Sequence, residues 1–228
     1  MTDIQTRYNQ VLEKKLTLDM TRGKPCAEQL CLSDEILTCI SPAEAASGID
    51  YRNYGVLDGL PEAKRLFAPV LNVSEKEIII GGNSSLQLMY DTVARFMLKG
   101  VAKGAKPWFG QVNKFICPVP GYDRHFSICE LLGIEMIPVA MNDNGPDMEM
   151  VAKLAAEDSS IKGIWCVPVH SNPSGACYSA EVIKTLASMQ TAASDFRIMW
   201  DNAYAIHHFV DGYYEKANIL EECKSAGN

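Results

Sequence analysis

Between residues 77 and 201, short apolar runs alternate with segments of helical periodicity, and this alternation constrains the fold more than any other feature. The runs are EIII (77–80), KFICPVP (114–120), IEMIPVAM (134–141), KGIWCVPVH (162–170) and FRIMWD (196–201). Between them lie SLQLMYDTVARFML (85–98), RHFSICELLG (124–133), MEMVAKLAAE (148–157) and SAEVIKTLASMQTAA (179–193). Leu86, Met89, Val93, Phe96 and Met97 fall on one helical face, and Gly133 closes the second segment as a C-terminal cap. Strands alternating with helices of this length form βαβ units, so the sequence predicts an α/β fold: a three-layer sandwich around a mostly parallel sheet.

Ahead of the alternation, residues 1–45 read as a polar arm with a short helix or two, Ser33 serving as an N-terminal cap before Asp34 and Glu35. Residues 50–60 form a Gly-rich, aromatic-bearing loop, and Pro61 suits the first turn of a helix after it. The division expected is an arm at 1–45 and a large domain at 46–228.

Bulk properties narrow the function. The net charge is −7 and Lys/Arg are not clustered, which argues against nucleic acid as a partner. The N-terminal stretch lacks an apolar signal core and no run is long enough to span a bilayer, so neither membrane nor secretion is expected and the cytoplasm is the default. Eight cysteines occur without a CxxC pair, which reads as buried thiols rather than a metal site.

Right-handed crossovers put the C-terminal ends of parallel strands on one edge, where ligands gather. The unusual residues of this chain come just after those ends. Gly81-Gly82-Asn83-Ser84-Ser85 opens a helix, as a phosphate cup or as a plain turn with a serine cap. Pro120-Gly121-Tyr122 precedes His125; the tyrosine suits stacking on a flat ring or a place in the core. Ser171-Asn172-Pro173-Ser174-Gly175 is a turn whose asparagine can donate to a ligand oxygen. Asp201-Asn202-Ala203-Tyr204 leaves a very apolar strand, where a carboxylate is costly unless it is paired or capping.

Each signal alone is unspecific, but their order and spacing resemble the fold-type I, class I/II aminotransferases that use pyridoxal 5'-phosphate, with wording closest to a bacterial aspartate-type subgroup. Tyr54-Gly55-Val56-Leu57-Asp58-Gly59-Leu60 resembles a further segment of that family. The resemblance implies that Asn83, Ser84 and Ser85 bind the cofactor phosphate, that Tyr122 stacks on the pyridine ring, and that Asp201 pairs with the ring nitrogen with His125 behind it. It implies that Asn172 and Tyr204 bond the ring's 3-oxygen, that Tyr54 reaches the cofactor of a partner subunit in a homodimer, and that Gly23 lies over the substrate. It also implies cis bonds at Val119-Pro120 and Asn172-Pro173, and amino-group transfer between an amino acid (aspartate first) and a 2-oxo acid.

The family's cofactor-holding lysine lies further past the D-x-A-Y aspartate than the 27 residues that come after Asp201 here, and Lys216 and Lys224 lack its S-x-S-K context. The expectation is therefore the N-terminal portion of such an enzyme, lacking the lysine-bearing strands, with the 77–80 strand left without the neighbours that the resemblance places beside it, and inactive by itself. The alternative is a fragment or degenerate homologue that binds pyridoxal phosphate or another phosphate ligand without turnover. A winged-helix regulator would need more chain before the sheet, and a dinucleotide site would need G-x-G-x-x-G in place of the adjacent glycines.

Overall fold

The computed structural model describes residues 2–19, 23–39, 46–207 and 218–228. The chain divides into two compact units, Met1–Glu44 and Ala45–Asn228. The first carries three helices: α1 (Asp3–Glu13), α2 (Ala27–Cys31) and α3 (Ile36–Cys39). Thr2 caps α1 by accepting from the Gln5 amide, while none of the three helices buries a residue. Ser33 does not cap a helix. It sits in a run of turns, its carbonyl accepting from the Ile36 amide, and α3 starts only at Ile36.

The second unit is built on a five-stranded sheet of order β3-β2-β1-β4-β5. The strands are β1 (Lys114–Val119), β2 (Glu135–Asn142), β3 (Gly145–Pro146), β4 (Ile161–Cys166) and β5 (Arg197–Trp200). β1 pairs in parallel with β2 and β4, and β4 with β5; the two-residue β3 is antiparallel to β2. The helices are α4 (Pro61–Leu71), α5 (Ser85–Lys99), α6 (Asp123–Leu132), α7 (Met148–Glu157), α8 (Ala180–Ser188) and α9 (Ile219–Ala226), with a 3-10 turn at Glu75–Glu77.

Strand alternation explains the three layers. Ile116, Ile164 and Cys166 point to one face, packing with Val151 and Ala155 of α7 and Ile183 and Leu186 of α8. Phe115, Cys117 and Trp165 point to the other, packing with Met89 and Val93 of α5 and Ile128 and Cys129 of α6. Every residue of β4 is buried, as a central parallel strand covered on both faces must be. The three-layer α/β architecture predicted from the periodicity is the one present.

Three expectations need correction. Residues 77–80 are not a strand: Glu77 ends the 3-10 turn, and Ile78–Ile80 is extended without a ladder partner among the described residues, the lack of neighbours being as expected. Its β-branched residues favour an extended backbone, but a strand also needs a neighbour, and here Ile80 donates only to the Asp58 carbonyl. The helix expected over 179–193 is α8, which stops at Ser188, because Met189 turns to an extended backbone. The cysteines are not uniformly buried: Cys117, Cys129 and Cys166 are, while Cys26, Cys31 and Cys39 are exposed. Among the described residues, no helix is long and apolar enough to cross a membrane.

Candidate active site at the strand ends

The C-terminal ends of β1, β4 and β5 are neighbours in the sheet, so the segments leaving them converge. After β1, Val119-Pro120 is cis, and Tyr122 occupies the N-cap position of α6. This puts His125 in the first turn of α6, 1% exposed. After β4, Asn172-Pro173 is cis, and the turn is closed by Ser171 and Ala176, whose backbones bond at 2.8 Å. After β5, the Asp201 amide donates to the Cys166 carbonyl at 2.8 Å, tying the aspartate to the end of β4. Both cis bonds stand where the resemblance predicted them.

Asp201 is 8% exposed, and its Oδ2 lies 3.0 Å from Nε2 of His125. A carboxylate there accepts, so the imidazole donates from Nε2, and the pair meets the demand that a buried charge be bonded. The Tyr122 ring meets the imidazole edge-on, centroids 5.1 Å apart at 89°. In front of Asp201 lies a cavity of about 160 Å³ lined by Ser85, Tyr122, Val167, Asn172, Asp201, Ala203 and Tyr204.

Five of the residues picked out from the sequence thus line one cavity: Ser85, Tyr122, Asn172, Asp201 and Tyr204, with His125 directly behind. Ser84 does not. Its hydroxyl caps α5, accepting from the Gln87 amide, and the residue lines a separate depression with Arg124 and Ser127. Asn83 is an exposed loop residue just before that cap. Tyr54 is 96% exposed and lines no described cavity. Gly23 belongs to the first unit, where it is exposed. Val167 and Ala203 also line the cavity, though nothing in the sequence singles them out; each is a small apolar residue, which leaves no mark.

Size does not select the site. A larger cavity of about 830 Å³ lies where α8, α9 and the 3-10 turn meet. Its Lys224 is already engaged, pairing with both Glu77 and Glu221. The smaller cavity has what the larger one lacks, a buried carboxylate and the aromatic face and phenol of its tyrosines, and it sets an amide and the first residue of α5 on the same space. Such a donor set suits a flat heteroaromatic cation carrying an anionic group, since the carboxylate matches a ring N–H and the first amides of α5 match the anion.

Known proteins bear on this geometry. The family model for aspartate amino-transferase matches residues 1–228. A relative from Mycolicibacterium smegmatis is 47% identical over 231 residues, covering 98% of this chain and 54% of that protein. An aspartate aminotransferase of Corynebacterium glutamicum is 44% identical over 229 residues, covering 99% of this chain and 53% of that protein. The crystal structure of an aspartate transaminase from the same species superposes with a TM-score of 0.93 at 44% identity, over 99% of this chain and 54% of that one. The chain spans about half the length of the relatives it matches. Over its whole length, this chain belongs to the aspartate amino-transferase family.

Proposed function

We propose that this chain supplies the cofactor-binding face of a pyridoxal-phosphate-dependent enzyme, and that the whole protein moves an amino group between an amino acid, aspartate first, and a 2-oxo acid. The observation that carries the reading is Asp201: a buried carboxylate, bonded behind to His125 and bordering a cavity with Tyr122, Asn172 and Tyr204. Asp201 would hold a proton on the pyridine nitrogen, with His125 fixing the carboxylate. Tyr122 would cover the ring face. Asn172 and Tyr204 would bond the 3-oxygen, and Ser85 with the first amides of α5 would take the phosphate. Family resemblance adds Asn83 and Ser84 to the phosphate site and Gly23 to the substrate site. It also has Tyr54 reach across a homodimer.

When bound, pyridoxal phosphate supplies an electron sink for the bond that breaks at the substrate's Cα. The chain's own part is to keep the ring nitrogen protonated through Asp201 and to exclude water from it. Among the described residues no lysine lines the cavity, and Lys224 is ion-paired elsewhere. Lys216 lies outside the described residues. For the 228 residues taken alone, binding without turnover is the second reading, favoured by that lining.

The test of the first reading is transfer from aspartate to 2-oxoglutarate by the whole protein, followed as glutamate, with Asp201→Ala alongside. Transfer that is lost in the variant supports it; an intact protein that decarboxylates or racemises instead overturns it. For the chain alone, a visible spectrum with pyridoxal phosphate, then borohydride reduction and intact mass, separates the outcomes. Reversible binding without a covalent gain supports binding without turnover, and one pyridoxyl phosphate on one lysine refutes it.

A further inference from the structure

The His125 ring is held from more sides than its hydrogen bond to Asp201 requires. Trp165 of β4, 2% exposed, lies parallel to it, with ring centroids 4.5 Å apart and an interplanar angle of 13°. Tyr122 meets the same imidazole edge-on. The indole is itself anchored: its Nε1–H donates to Cys129 Sγ at 3.2 Å, and Phe115 packs against it edge-on at 5.5 Å. Burial alone asks only for a large apolar side chain here. An indole in that place brings an N–H that must find a partner, and here its one partner fixes the rotation of the ring.

We propose that Trp165, anchored on Cys129, is a positioning residue for Asp201: it holds His125 in the plane from which Nε2 meets the carboxylate, so that Asp201 faces the cavity in one orientation. The two ends of this chain of contacts lie on adjacent strands, since Trp165 is on β4 and Asp201 comes directly after β5. The orientation is therefore set inside the core rather than by the loops around the cavity. Stacking governs the ring plane and the bond to sulfur governs its rotation, so the two can be removed separately.

The proposal rests on the pyridoxal-phosphate reading only for the second of its two readouts. In the full chain without cofactor, nitrogen-edited NMR of the His125 ring should give one slowly exchanging Nε2 proton. Trp165→Leu should lose that signal, and Trp165→Phe, which keeps a ring face but not the bond to Cys129, should keep it in broadened form. With pyridoxal phosphate, affinity should fall about tenfold in the leucine variant, the size of one hydrogen bond to a charged group, and stay within about twofold in the phenylalanine variant. A leucine variant that is folded by circular dichroism and keeps both the proton and the affinity overturns the proposal. Should that variant not fold, Cys129→Ala decides: a broadened Nε2 proton supports the anchor, and an unchanged one refutes it. If the parent chain does not bind pyridoxal phosphate, the reading of the cavity fails, while the NMR outcome still decides the role of Trp165.

Discussion

Nε2 of His125 stands 3.0 Å from Oδ2 of Asp201, a contact between residues 76 positions apart and buried on both sides. Removing the carboxylate should act on stability as well as on binding. Asp201→Ala leaves the imidazole buried without its acceptor, at a cost of about 1–3 kcal/mol in urea unfolding, and it should abolish pyridoxal-phosphate binding measured by absorbance. Asp201→Asn keeps an acceptor oxygen, so most of the stability should return without the binding.

Ser84 and Ser85 are adjacent and should separate by their effect on stability. The Ser84 hydroxyl caps α5, so Ser84→Ala is expected to lose about 0.5–2 kcal/mol of stability together with part of the phosphate affinity. Ser85 lines the cavity, so Ser85→Ala should weaken pyridoxal phosphate about fivefold and leave the melting temperature in place. Titrating both variants against the parent chain gives the comparison.

At the opposite end of the sheet, Asp195 accepts from Trp108 Nε1 and Lys162 Nζ, each at 2.8 Å. Partial burial raises the Asp195 pKa, but the bonds from Lys162 and Trp108 outweigh it and leave the carboxyl below its ordinary range. The stability this contributes is complete above the ordinary carboxylate pKa and disappears as pH falls through the lower folded value. Asp195→Asn should therefore unfold at lower urea than the parent at neutral pH, and the gap should narrow at about pH 3. A constant gap would show that the carboxylate charge is not what matters.

Gly121 lies between the cis proline and Tyr122. A Cβ there would run into the Pro118 carbonyl oxygen and stand 2.9 Å from Cζ of Phe126. The backbone must move to accept it, so Gly121→Ala should cost about 1–3 kcal/mol and displace Tyr122. Loss of cofactor affinity beyond the loss of stability, read by thermal melting and absorbance titration together, is the expected result.

Most of the sheet and five residues of the cavity are legible in the sequence because two patterns and one geometric rule carry them. The continuous apolar run KFICPVP records a strand covered on both sides, and helical spacing in 85–98 records one buried face. The rule that ligands gather at strand ends then collects Tyr122, Asn172 and Asp201. Ile78–Ile80 misleads for the complementary reason: β-branched residues announce an extended backbone, but nothing local says whether a neighbour exists to pair with it. Trp165 does not stand out because, inside KGIWCVPVH, it is one more apolar residue of a buried strand. Its contacts with His125 and Cys129 bring together residues from β4 and α6, and such meetings leave no local pattern.

The cavity draws its lining from the segments that leave β1, β4 and β5, so it exists only when those strands have found one another in register. Any ligand seated in it is therefore coupled to folding: it binds the assembled sheet and not the open chain. At a hundredfold excess over its dissociation constant, such a ligand adds about 2.7 kcal/mol to the folded state. For a chain whose Ile78–Ile80 segment finds no ladder partner among the described residues, that increment is a sizeable share of what a domain this size has in reserve, and supply of the ligand would then govern how much of the protein persists.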